Sequence, residues 1–124
     1  MRGVSKGYCM PHDITERTFN FAVRIVKLYF SLPNEIRLAA PAKQLLRAGT
    51  SIGANVEEAQ GGLTKKDFIH SINIAKKEAR ETVYWLKLWV AVKLCNLDEV
   101  EVLLNEAIEL QKILTAIVRS TQAK

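Results

Sequence analysis

The 124-residue chain has no apolar run approaching the ~18 uninterrupted residues of a membrane span, so no membrane role is expected. It has only two cysteines, Cys9 and Cys95, which is too few for a disulfide framework and suits reduced thiols; Cys95 reads as a small core hydrophobe. With two histidines, His12 and His70, it cannot supply the paired Glu-x-x-His motifs of a di-iron bundle, and Asp67-x-x-His70 is the nearest approach. No cysteine pair has zinc spacing. Ser51 has no histidine beside it, and the adjacent acids Glu57 and Glu58 point to different sides of a helix. The expectation is a protein that is not an enzyme, with no catalytic residue, metal or cofactor. Strand alternation bounded by hairpin turns is missing as well.

What is present is an ordinary globular mix, 48% hydrophobic and 25% charged, in a chain long enough for one domain with a real core. The opening "MRGVSKGYCMPHD" is basic but lacks the apolar stretch of a secretory signal, and residues 1–12 read as a flexible tail before a domain at 13–121. The net charge of +5 is unevenly spread. Residues 61–96 carry seven Lys and Arg against three acids, whereas 97–124 carry three against five. Such a balance permits an anionic partner without requiring one.

Every substantial segment has helical periodicity. The first helix spans about 13–31, capped by Asp13 or Thr15 and stopped by Pro33, with Phe19, Ala22, Val23, Val26 and Phe30 as its apolar face and Phe21, Ile25, Leu28 and Tyr29 widening it. A short piece at 35–40 precedes a main helix with Pro41 in its first turn, closed by Gly61–Gly62 in a left-handed C-terminal conformation. The third helix starts at the cap Thr64, with Asp67 three residues on, and runs to about Cys95, where Asn96 ends it. The fourth spans about 98–119, burying Val100, Leu103, Leu104, Ala107, Leu110, Leu114, Ile117 and Val118. Four helices joined by short loops predict an all-α fold, an antiparallel up-down four-helix bundle.

Three patterns carry functional candidates. "AGTSIGANVEEAQGG" has glycines, but Gly49 and Gly53 are four apart with no following Lys and no preceding strand, which excludes a phosphate loop. Read as helix, Leu45, Gly49, Ile52, Val56 and Ala59 form an apolar line, and small residues admit a close neighbour. Arg47, Ser51, Asn55 and Glu58 form a polar seam on a second line, serving either helix or subunit contacts or a ligand pocket. Arg47 and Glu58 lie eleven residues apart, ~16 Å along the axis, so each needs another partner. On the third helix, Lys66, His70, Asn73, Lys77, Arg80, Tyr84 and Lys87 step by four and three, opposite the core line Phe68, Ile72, Ala75, Ala79, Leu86 and Val90. That stripe is either a solvated face or a surface that binds RNA or DNA, its cations meeting phosphates and its tyrosine stacking on a base. Farther along, Trp85, Leu88 and Val92 fall on a different side from the core line and read as a homo-oligomer interface.

The stretch "QLLRAGTSIGANVEEAQGG" with "KKDFIHSINIAKKEARETVYWLKL" resembles the signature of the four-helix bundle family of 23S rRNA intervening-sequence proteins. Gln44-Leu45-x-Arg47, Ser51-Ile52-x-x-Asn55, Glu58, Phe68 and Ala79-x-Glu81-Thr82 carry the resemblance, which is close over residues 44–88 and extends to the outer helices by length and pattern. Where the family often reads Asn-Ile-Ala-Glu-Gly, this chain has Asn55-Val56-Glu57-Glu58-Ala59. The resemblance implies a bacterial, cytoplasmic bundle that assembles with itself, a ring-like pentamer being the form it suggests, and that is encoded in insertions within rRNA genes. Related bundles are accessory proteins of diversity-generating retroelements, which implies a reverse transcriptase and nucleic acid as partners. The expected function is that of a non-enzymatic, homo-oligomeric nucleic-acid-binding or accessory protein; the alternative is a purely structural or protein-interaction bundle.

Overall fold

The computed structural model describes residues 14–95 and 97–124. The tail at 1–12, with Cys9 and His12, the cap Asp13 and the terminator Asn96 all lie outside the described residues. Five helices follow in order: α1 (Ile14–Phe30), α2 (Asn34–Arg37), α3 (Ala40–Gln60), α4 (Lys65–Val92) and α5 (Leu97–Gln122), with no strand among the described residues. Among those residues no helix is long and apolar enough to cross a membrane.

Local chemistry accounts for most boundaries. Pro33 follows α1 and leads into the single turn of α2, and Pro41 stands in the first turn of α3, where its missing N–H removes no helical bond. Thr64 caps α4 by accepting a hydrogen bond from the Asp67 amide at 3.0 Å. Two expectations are corrected. The end of α4 comes earlier than Cys95, at Lys93, which adopts a left-handed conformation (φ 53°) while the Leu94 amide bonds back to the Trp89 carbonyl at 3.1 Å. At the end of α3, Gly61 has φ −89° and no left-handed turn forms. What Gly62 provides there is room, since a Cβ would lie 3.2 Å from both the Ala59 carbonyl oxygen and the Phe68 amide nitrogen.

The register of the contacts makes neighbouring helices antiparallel. Gly49 lies against Ile25 and Gly53 against Thr18, so rising numbers on α3 meet falling numbers on α1. Arg47 pairs with Glu78 and Glu81, whereas the later residues Asn55 and Glu58 share a groove with the earlier Asp67 and Ser71, so α4 runs back along α3. Each long helix packs on the next, α1 on α3, α3 on α4 and α4 on α5, as the up-down order requires. The small residues of α3 are what let α1 approach: a Cβ on Gly49 would stand 2.9 Å from Ile25 Cγ1, and one on Gly53 only 3.1 Å from the Thr18 carbonyl oxygen.

The core is lined by Leu45, Ile52 and Val56 of α3, Phe68, Ile72, Leu86 and Trp89 of α4, and Leu103, Leu110 and Leu114 of α5, all essentially dry. Leu104 and Val90, expected in the core, are half-buried. The face of α1 is a larger correction. Its buried line is Ile14, Thr18, Phe21, Ile25 and Leu28, while Phe19, Val26 and Phe30 face outward. Both lines have helical spacing; the one containing Thr18 and Ile25 is chosen because it fits the glycines of α3. On its other flank α1 meets α5 only sparingly, through Arg17 Nε to Glu106 Oε2 at 2.7 Å and Arg24 to Glu99 at 3.7 Å.

Candidate nucleic-acid interface and interhelical groove

The basic stripe is carried by the outer face of α4. Lys66, His70, Lys77, Arg80, Tyr84 and Lys87 are exposed and Asn73 is half-buried, so the structure brings all seven to one side of one helix. From Lys66 to Lys87 this side extends ~32 Å. Among the described residues, Lys66, Lys77, Arg80 and Lys87 form no ion pair, although Lys77 is near enough to favour the ionised form of Glu81. The Tyr84 ring is 58% exposed and stands edge-on to Trp85, with centroids 5.1 Å apart. The acids Glu78 and Glu81 turn the other way, toward α3.

The polar seam of α3 splits into two halves. In one, the Arg47 guanidinium donates to Glu78 Oε1 at 3.1 Å, to Glu81 Oε2, and to Gln44 Oε1 at 3.2 Å. The hydrogen bond to Glu81 is the main reason the Arg47 pKa is raised, and the same bond holds the Glu81 carboxyl below the usual carboxylate range. Ser51 and Asn55 are partly spent inside the helix: Ser51 Oγ donates to the Arg47 carbonyl at 2.6 Å and Asn55 Nδ2 to the Ser51 carbonyl at 2.9 Å.

In the other half, Asn55 and Glu58 face the start of α4 across an open groove of about 390 Å³. Asp67, His70 and Ser71 line its far side, Leu63 and Ile74 its apolar edges, and the Gly61–Gly62 turn closes one end. Among the described residues, Glu58 and Asp67 form no ion pair. Among the described residues no three His, Cys, Asp or Glu side chains are grouped so as to hold a metal ion.

The α4 side of this seam escaped the sequence reading. Asp67, Ser71, Ile74, Glu78, Glu81 and Trp85 recur at steps of four and three, the same signal that marked Arg47–Glu58, and the antiparallel register lays one line along the other. The expected interface residues are unequal. Trp85 is half-buried against the core, its indole N–H donating to Glu81 Oε2 at 3.2 Å, Leu88 is half-buried and Val92 is exposed. The largest exposed apolar side chains on one helix are instead Phe19 at 61% and Phe30 at 64%, with Val26 between them.

The family model for 23S rRNA-intervening sequence proteins matches residues 11–116, which span α1 through most of α5. The chain belongs to this family. A crystal structure of a protein of unknown function from the S23 ribosomal protein family of Bacteroides thetaiotaomicron superposes with a TM-score of 0.79 at 42% identity, covering 86% of this chain and 98% of that one. The comparison with curated proteins gave no match. Membership in the 23S rRNA-intervening sequence protein family accounts for the helical bundle and for the run from Gln44 to Leu88, and assigns no chemistry to it.

Proposed function

We propose that this chain is a non-enzymatic, self-assembling member of its family that binds RNA or DNA through the outer face of α4. The observation that carries the reading is the sorting of charge on that helix. Its cations Lys66, Lys77, Arg80 and Lys87 point to solvent and form no ion pair among the described residues, and its acids Glu78 and Glu81 are turned to Arg47 of α3, which leaves Asp67 as an exposed acid at the start of the stripe. Four cations along ~32 Å suit a backbone of regularly spaced phosphates, and an exposed tyrosine among them suits stacking on an unpaired base.

The test is fluorescence anisotropy with a structured RNA and a DNA duplex over a salt series. Four phosphate contacts give a log-log slope of about −3 to −4. The pair Lys77→Glu with Arg80→Glu lowers affinity and makes that slope shallower by about two. Binding that ignores salt, or no binding at low salt, overturns the proposal.

The protein-interaction reading is favoured by a different observation, the outward apolar line Phe19–Val26–Phe30 on α1. We assign that line to self-association, with the Trp85–Leu88–Val92 side of α4 on the next copy as its counterpart; two unlike patches can close a ring, and a pentamer is the ring we propose.

A further inference from the structure

Charge is sorted along α5 as it is sorted around α4. The acids Asp98, Glu99, Glu101, Glu106 and Glu109 all lie in its first half, and residues 110–124 hold no acid, only Lys112, Arg119 and Lys124. The second half carries an open groove of about 460 Å³ lined by Gln111, Lys112, Thr115, Ala116 and Arg119. The small side chain of Ala116 makes the recess, and Lys112 and Arg119 stand on either side of it, ~10 Å apart along the axis. Thr115 Oγ1 donates to the Gln111 carbonyl at 2.8 Å, which leaves the hydroxyl oxygen to accept. Among the described residues, Arg119 forms no ion pair and the Gln111 side-chain amide no hydrogen bond. Lys112 leans on Glu109 at 3.6 Å, an exposed pair that contributes little.

This groove lies on the α4 side of α5. Glu106 marks the flank turned to α1, through its pair with Arg17. Gln111 and Thr115 follow it by five and nine residues, turns of about 140° and 180°, which puts them on the opposite flank. Because α4 ends at Val92 and α5 begins at Leu97, residues equally far from that connection stand level on the two antiparallel helices. Lys77 is fifteen residues before Val92 and Lys112 fifteen after Leu97, while Asn73 and Ala116 are each nineteen away. The groove therefore adjoins the first half of the basic stripe. Farther along the surroundings change sign: Lys87, five residues before Val92, has beside it the exposed Glu101, four after Leu97.

We infer that the α5 groove is a second phosphate-binding site for the same nucleic acid, whose backbone crosses obliquely from Arg119 and Lys112 on α5 to Lys77, Arg80 and Lys87 on α4. This rests on the reading of the outer face of α4 as a nucleic-acid surface. A guanidinium, an ammonium and an amide present N–H donors that suit phosphate oxygens, and no carboxylate lines the groove to attract a cation. The course follows from the sorting of acids. A backbone that kept to α5 would run onto Glu109 and Glu101, whereas one that crosses at Lys77 leaves α5 before its acidic half and reaches Tyr84 on α4. The two cations of α5 lie level with the stripe, so they extend one track and do not form a separate site.

Anisotropy over a salt series tests the crossing, with the structured RNA or the DNA duplex, whichever the full chain binds more tightly. Two contacts added to the four of α4 deepen the log-log slope to about −4 to −5.5. Lys112→Gln with Arg119→Gln, both at exposed positions, keeps the helix content by circular dichroism and makes the slope shallower by about 1.5 to 2. Ala116→Glu, which sets a carboxylate in the recess, lowers affinity as well. Lys43→Glu, an equal change of net charge at an exposed site near the start of α3, leaves the slope as it was. If Lys77→Glu with Arg80→Glu weakens binding while the α5 pair and Ala116→Glu bind like the wild type, the inference falls and the α4 reading stands. Binding that neither pair alters, or no binding at all, overturns both. A loss confined to the α5 variants, or an equal loss with Lys43→Glu, overturns the crossing.

Discussion

Arg47 is the residue on which the α3–α4 contact turns, because its guanidinium alone separates Glu78 from Glu81. Arg47→Met keeps much of the aliphatic stem and removes the charge. With both acids left facing each other and Glu81 left with the Trp85 indole and the nearby charge of Lys77, it costs about 1 kcal/mol near neutral pH. The pH dependence follows from the direction of the Glu81 shift. Arg47 lowers that carboxyl's pKa in the folded state, so its stabilisation is fully present above the ordinary glutamate value of 4.5 and is lost as the pH falls through the lower folded value. Thermal melts of the wild type and Arg47→Met therefore differ most near pH 7 and converge as the pH falls below 4.5 through the lower folded value. A gap in Tm that persists unchanged into acid would show that Arg47 acts through packing of its stem and not through Glu81.

Close approach of α1 to α3 depends on two positions without side chains, and substitution there separates helix propensity from packing. Gly53→Ala gains about 1 kcal/mol of helix propensity but drives a Cβ against the Thr18 backbone carbonyl, which cannot rotate away, so a net loss of about 1–2 kcal/mol is expected in urea unfolding. Gly61→Ala is the control: its φ of −89° suits alanine and the nearest atom to a new Cβ is 3.7 Å away, so stability stays level or rises by up to ~1 kcal/mol. A higher midpoint for Gly53→Ala would mean that α1 is free to move off α3. The same contact explains what could and could not be read from the sequence. Helix number, the Thr64 cap, Pro41 in a first turn and the buried line Leu45–Ile52–Val56 all follow from local spacing. Which side of α1 is buried does not, because Phe19–Val26–Phe30 and Phe21–Ile25–Leu28 have equally good periods, and the choice is made by glycines some thirty residues later. Arg47's partners were hidden for a similar reason: Glu78 and Glu81 come beside it only once the register of two helices is set. Lys93 in a left-handed turn went unforeseen because that conformation ordinarily selects glycine or asparagine.

Assembly tests the proposed use of the two outward apolar surfaces. If Phe19–Val26–Phe30 of one copy sits on the Trp85–Leu88–Val92 side of the next, the contact joins unlike patches, and such contacts close into rings or run on into filaments. Five copies of a 14.0 kDa chain would scatter as about 70 kDa. The double variant Phe19→Ser, Phe30→Ser removes one half of the contact and Val92→Glu the other. All three side chains are exposed, so helix content by circular dichroism should not change in either. Each variant alone then runs as a monomer. Mixed in equal amounts, they restore one intact contact per pair, between the α1 line of the Val92 variant and the α4 side of the double variant. The other surfaces of that pair are both disabled, so growth stops at two chains and light scattering reads about 28 kDa, twice the chain mass. A symmetric contact of α1 line on α1 line predicts otherwise: Val92→Glu alone keeps the wild-type assembly, and the mixture contains that assembly together with monomeric double variant. The mass of the mixture thus decides whether the exposed phenylalanines meet their own kind or the far side of a neighbour.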